Sequence, residues 1–301
     1  MRFAFVLGLF ALLGVSCEPS SAEKAEDGFL IVCTTGILAD AVGHMTESCE
    51  VAALMGPGTD PHLFRPSRKS LQLLERADII IANGLRLEGR MQEVLEKTSL
   101  RKPVVFASAG LYKGSLITAD DRDRTADPHF WTDVSMWKGA CEHILSTLEK
   151  AEVPCVNRPA AEDYLSRLEL LHEEIAEITG EIPPRKRVLI TPHDAFSYYG
   201  RAYGLEVITL QGISTAAEYG VRDIRDVVQL ITDREIPAVF DESSIAPRAM
   251  DAVTAGCESR GYRLKRGGTL YSDALGGAGS GAETYIDMMY SNATTIKSAL
   301  K

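Results

Sequence analysis

Residues 159–180 read PAAEDYLSRLELLHEEIAEITG, one long helix set between the two halves of the chain. Pro159 suits a first helical turn, where its missing N–H removes no hydrogen bond. Tyr164, Leu165, Leu168, Leu171, Ile175 and Ile178 recur at helical spacing, and Gly180 followed by Pro183-Pro184 ends the pattern. The other faces are rich in Glu and Arg, as expected of an amphipathic helix lying across a surface. His172 falls among these polar positions and is read as a solvated or capping side chain.

On either side of this helix, short β-rich apolar runs alternate with helical patterns, the signature of parallel βαβ units. Before it the runs are Phe29–Cys33, Val51–Met55, Ile79–Ala82 and Val104–Ala107. After it they are Val188–Ile190, Val207–Leu210, Ala238–Phe240 and Thr269–Tyr271. The expected fold class is α/β, with an N-terminal lobe over residues 29–158, a linker helix over 159–180 and a C-terminal lobe over 181–301. The charged stretch Gly114–Ala126 reads as a loosely structured loop.

The start of the chain sets its compartment. Arg2 gives a minimal positive region, Phe3–Val15 is an apolar run of signal-peptide length, and Ser16-Cys17 closes it. The run is too short to span a bilayer as a stable helix. Cys17 followed by the polar residues 18–28 resembles a lipoprotein junction with a flexible tether, although Gly14 stands where such junctions usually carry Leu. Cleavage near Ser16, leaving an unanchored exported protein, is the other option. No later segment is apolar enough to cross a membrane, so the body of the chain is expected outside the cytoplasm, as a monomer.

Forty-two acidic residues against 32 basic ones give a net charge of −10, which argues against nucleic acid and anionic membrane surfaces as partners and mildly favours cations. Beyond Cys17 the cysteines are Cys33, Cys49, Cys141, Cys155 and Cys257, with no C-x-x-C spacing, so a zinc knuckle or thioredoxin-type motif is not expected. Their odd number leaves at least one thiol unpaired within the monomer. Cys33–Cys49 and Cys141–Cys155 are the conceivable bridges.

Three of the six histidines sit beside proline in polar loops: Asp60-Pro61-His62, Asp127-Pro128-His129 and Pro192-His193-Asp194. Proline stiffens the neighbouring backbone, and imidazole is the commonest protein ligand for borderline transition metals. The carboxylate beside each histidine could accept the second ring N–H and fix the tautomer. Any one such tripeptide is an ordinary turn or helix start. What distinguishes the set is position: His62 follows the second strand, His129 the fourth, His193 the first of the second half, and Asp273 the last. Ligands of open α/β sheets collect beyond the carboxyl ends of strands, so two candidates from each half describe a cleft between lobes. Three imidazoles and a carboxylate suit zinc, and a carboxylate able to bind through both oxygens widens tolerance towards manganese.

Met55–His62, Asp127–Asp133, His193–Tyr199, Gln211–Thr215, Glu242-Ser243-Ser244 and Ser272–Leu275 together resemble the zinc/manganese-binding solute-binding proteins of ABC importers, the TroA-like branch above all. The resemblance runs from about Phe29 to the C-terminus. It implies two four-stranded α/β lobes joined by one rigid helix, with Zn2+ or Mn2+ held between them as transported ligand and delivered to the membrane subunits of an ABC permease. His62, His129, His193 and Asp273 match the family's four ligands. Manganese-selective relatives often have Glu where this chain has His193, and zinc-dedicated ones often have a His-rich loop where Tyr112–Asp127 has no histidine, so the chain lies between the two patterns. His44 and His143 are ordinary helix residues.

A single stiff helix cannot close like a multi-strand hinge. Metal loss is therefore expected to shift one ligand-bearing loop, with Gly276–Gly281 the most flexible candidate, and the loops around His62 and Asp273 are expected to face the permease. The alternative from another class is a secreted metallohydrolase, with Glu242 or Asp194 as general base; four protein ligands tend to close such a site, and no H-E-x-x-H motif is present. An adhesin role explains none of the histidine spacing.

Overall fold

A computed structural model describes residues 28–118, 125–216 and 218–301. The leader, Cys17, all of the tether but Gly28, and part of the charged loop 114–126 lie outside them. Each of the eight expected runs is a strand: β1 (Leu30–Thr35), β2 (Glu50–Met55), β3 (Ile79–Ala82), β4 (Val104–Phe106), β5 (Val188–Thr191), β6 (Glu206–Thr209), β7 (Ala238–Glu242) and β8 (Lys265–Leu270). The helices are α1 (Gly36–Met45), α2 (Arg68–Arg76), α3 (Gln92–Ser99), α4 (Val134–Lys150), α5 (Arg158–Gly180), α6 (Ser197–Tyr203), α7 (Val221–Arg234), α8 (Arg248–Ser259) and α9 (Tyr285–Leu300).

The first four strands form one parallel sheet in the order β2-β1-β3-β4. Side chains alternate across it. Ile31 and Cys33 of β1 face the cluster containing α1 and α4, while Leu30 and Val32 pack towards α2 and α3. Both faces are covered, which is why β1 reads as a continuous apolar run rather than as polar/apolar alternation.

The second half departs from the four-stranded expectation. Its strands pair in parallel as two two-stranded sheets, β5-β6 and β7-β8. Strands β5 and β7 lie against each other without a ladder between them, and the β7-β8 register shifts between Val239 and Asp241. Apolar runs find strands, but the pairing of strands this short and irregular is decided by what packs against them.

Helix α5 matches its sequence pattern. The Asn157 side chain caps it by accepting from the Ala160 N–H at 3.1 Å. Ala161, Tyr164, Leu168, Leu171, Ile175 and Thr179 form its buried face, while Leu165 and Ile178 are only partly covered. It is not an isolated strut. The largest apolar cluster runs from Ile31 of β1 through Trp137 of α4, Tyr164 and Leu171 of α5 and Tyr199 of α6 to Met288 and Leu300 of α9, so the two halves share one core. His172 on α5 is neither merely solvated nor a cap: its Nδ1 lies 3.1 Å from the Tyr203 hydroxyl, which packs below this helix. His44 stacks on Tyr164, and His143 lies in α4.

Cysteine pairing also differs from the two conceivable bridges. Cys49 is bonded to Cys155 with Cα atoms 5.8 Å apart, and Cys33, Cys141 and Cys257 are free and buried. The reason is tertiary: the loop after α1 runs beside the α4–α5 connection, with Glu47 N–H donating to Cys155 O and Asn157 N–H to Met45 O.

Candidate metal centre

The loops that follow β2, β4, β5 and β8 bring the four candidate side chains together. Among the described residues, His62, His129, His193 and Asp273 form the one group of three or more ligating side chains close enough to share an ion, each offering an atom within 4.8 Å of the others. His129 and His193 are fully buried, Asp273 is 2% exposed and His62 7%. His62 Nε2 lies 3.1 Å from His129 Nε2. His129 Nε2 is 3.4 Å from Asp273 Oδ1, and His193 Nε2 is 3.4 Å from Asp273 Oδ2. An ion in tetrahedral coordination with bonds of about 2.1 Å separates neighbouring donors by about 3.4 Å. The spacing therefore fits one first-row ion at the centre.

Two of these inward-facing atoms, His193 Nε2 and Asp273 Oδ1, have no hydrogen-bond partner among the described residues. Buried polar atoms are rarely left so unless something else satisfies them, and a cation does.

Of the three carboxylates adjacent to histidines in sequence, only Asp127 plays the expected part. Its Oδ1 lies 2.7 Å from His129 Nδ1 and also accepts the His129 backbone N–H at 2.9 Å. Asp60 instead accepts the His62 backbone N–H at 2.9 Å, and its other oxygen accepts from Thr215 Oγ at 2.6 Å, tying the His62 loop to the loop after β6. Asp194 turns away to Ser197. Its place at His193 is taken by Glu242, at the end of β7, with Oε2 2.6 Å from His193 Nδ1 and Oε1 accepting the His193 N–H at 3.0 Å. Glu242 stands 49 residues away in sequence, and no local pattern marks it as this partner. With Nδ1 engaged by a carboxylate, Nε2 of His129 and of His193 faces the centre and binds an ion once its own proton is displaced.

The charges agree with that arrangement. Burial opposes charge on His129, but Asp127 and Asp273 outweigh it and hold its pKa up at about 9. His193 is likewise pushed well above the ordinary histidine value, with burial overcome by Glu242 and Asp273. Burial, reinforced by the neighbouring imidazoles, drives His62 down to about 3. The carboxyl of Asp273 is held well below its usual range by His193 and His129 in spite of burial. The site is a compact pocket of opposed charges that protons share when no cation does.

Trp131 joins the two halves beside the site. It follows His129 in a short turn, lies 5.2 Å from that ring between centroids, and donates Nε1–H to Ser272 O at 2.8 Å, next to Asp273. Tyr285 of α9 donates its hydroxyl to Trp131 O at 2.7 Å. The Gly276–Gly281 segment after Asp273 is pinned by Gly276 N–H to Ala282 O at 2.8 Å and Ser280 N–H to Gly277 O at 3.0 Å.

Residues 31–299 match ZnuA, the periplasmic zinc-uptake complex component A. The chain belongs to this family. It is 38% identical to the manganese-binding lipoprotein MntA of Bacillus subtilis, over 99% of this chain and 98% of that protein. It is 36% identical to the zinc-binding protein TroA of Treponema pallidum, over 99% of this chain and 97% of that one. A solved structure of the Treponema pallidum periplasmic zinc-binding protein TroA superposes with a TM-score of 0.85 at 35% identity, covering 91% of this chain and 99% of that one. Family membership makes the chain a metal-binding component of an uptake system, extracytoplasmic, and a solute-binding protein rather than an enzyme.

Proposed function

We propose that the chain captures a zinc or manganese ion at His62, His129, His193 and Asp273 and hands it to the membrane subunits of an ABC permease. The observation that carries this reading is the convergence of three imidazole nitrogens and one carboxylate at ion-sized spacing in a buried site. Relatives named for manganese and for zinc stand at nearly equal identity, so the donor set has to speak for the cargo. Three nitrogens and one carboxylate oxygen make a tetrahedral zinc site, and Asp273 binding through both oxygens opens it to manganese.

In this reading residues 29–158 and 181–301 are two lobes bridged by residues 159–180, and the ion lies between them. The apolar cluster common to both halves supports release by a shift of ligand loops rather than by wide rotation of the lobes. The protein acts as a monomer, tethered to the outer face of the membrane through lipid on Cys17.

The test is elemental analysis of protein purified from its native envelope, repeated with His193→Ala and with circular dichroism to verify folding. One zinc or manganese per chain is expected, and a large loss in the variant. Unchanged metal content in a folded variant would refute the ligand assignment. Zinc outbinds manganese in most sites in vitro, so the native envelope rather than a titration identifies the cargo.

A further inference from the structure

In the sheet order β2-β1-β3-β4 the outer strands β2 and β4 lead to His62 and His129, whereas the central strands β1 and β3 lead to no candidate ligand. Their carboxyl ends carry something else. The loop after β3, Asn83–Gly89, turns through three consecutive left-handed residues, Gly84 (φ +85), Leu85 (φ +52) and Arg86 (φ +64), the last two in a region that side chains with a Cβ avoid. At its end lies Glu88, 0% exposed. Thr34 Oγ at the end of β1 donates to Glu88 Oε1 at 2.9 Å, the Asn83 N–H donates to the same oxygen at 2.6 Å, and the Gly84 N–H to Oε2 at 3.3 Å. The carboxylate thus clamps a strained turn shut and ties it to the neighbouring strand.

The clamped loop touches the backbone of both ligand-bearing loops. Asn83 Nδ2 donates to Pro128 O at 3.1 Å, one residue before His129. Gly89 (φ +46) lies so close to the His62 carbonyl that a Cβ there would come within 2.4 Å of its oxygen. The crevice between β1 and β3 is the switch point where ligands of open α/β sheets commonly collect. Here it holds a buried carboxylate that touches neither imidazole.

We propose that Glu88 and Asn83 are positioning residues of the metal site, setting the distance between His62 and His129 through the Asn83–Gly89 loop. The inference rests on those two histidines being ligands. Its test uses full-length protein carrying Asn83→Ala, Glu88→Gln or His62→Ala, titrated with Zn2+ against a competing chelator and loaded with Co2+, whose visible absorption reports coordination geometry. Asn83→Ala and Glu88→Gln are expected to weaken Zn2+ binding by about 10–100-fold and to shift the Co2+ band while one ion per chain is still bound.

A role confined to folding would lower the melting temperature and leave the band of the folded protein unchanged, which would overturn the proposal. Wild-type affinity in folded Asn83→Ala would do the same. His62→Ala separates the two levels: if it binds as wild type, the ligand reading falls and the positioning proposal with it. If it loses binding while Asn83→Ala does not, only the positioning proposal falls. Should Glu88→Gln fail to fold, Thr34→Val, isosteric and one hydrogen bond short, carries the same measurement.

Discussion

Replacing Glu242 by Gln removes one charge and almost no volume, and its effect on metal binding can be worked out from two contacts. Glu242 Oε1 accepts the His193 backbone N–H at 3.0 Å, and Oε2 lies 2.6 Å from Nδ1 of the same ring. A glutamine whose carbonyl keeps the backbone contact presents its NH2 to Nδ1. That ring nitrogen must then accept, which moves the proton to Nε2, where the lone pair for the ion should be. Loss of such an outer partner typically weakens metal affinity about 10–100-fold, or about 1.4–2.8 kcal/mol.

The same substitution carries a proton signature. Burial alone would lower the His193 pKa, and the charges of Glu242 and Asp273 together raise it. With His129 held up at about 9, the ion-free site is protonated at neutral pH. Incoming metal therefore displaces on the order of two protons in the wild type, and apparent affinity falls as pH falls. Without the Glu242 charge His193 is more readily neutral, and release drops towards one proton. Calorimetric titration with Zn2+ in buffers of differing ionisation enthalpy reads both quantities. A folded Glu242→Gln variant with wild-type affinity and proton release would refute the tautomer argument.

Two further outcomes concern stability. In the ion-free protein His129 has a pKa of about 9 against an unfolded value of 6.5, so its protonation contributes stability that is complete below pH 6.5 and lost as pH rises to about 9. His62, depressed to about 3, has the opposite sign: it loses stability as pH falls below 6.5, because the unfolded chain takes up a proton that the folded site refuses. The melting temperature of chelator-treated protein should fall between pH 6.5 and 9, and a flat profile there, matching that of the metal-loaded protein, would contradict the charge assignments. Cys155→Ser opens a disulfide that closes a 106-residue separation, and a loss of about 2–4 kcal/mol is expected in denaturant unfolding under oxidising conditions. An unchanged midpoint would mean that the bridge constrains nothing in the unfolded chain.

Much of the site was legible in the chain because its parts are local. Each of His62, His129, His193 and Asp273 follows an apolar run of strand length, and parallel α/β topology sends such positions to one edge. The partners were less legible in proportion to their distance. Asp127, two residues from His129, was within reach of sequence reasoning, whereas Asp194 was the expected neighbour of His193 and Glu242 is the actual one. Glu88 carried no signal, since a lone Glu in a loop ordinarily lies in solvent, and only the meeting of β1 and β3 buries it.

By itself the sequence determined the eight strands, the helix over residues 159–180 and the four side chains with metal-binding chemistry. These depend on periodicity, caps and residue type, which act within a few residues of each other. Only the tertiary structure decided that β5-β6 and β7-β8 pair separately, that Cys49 bonds Cys155, and that Glu242 rather than Asp194 steadies His193. Those choices are made by packing of groups far apart in the chain. Their partners are selected by the space left in a shared core, and no local pattern encodes that space.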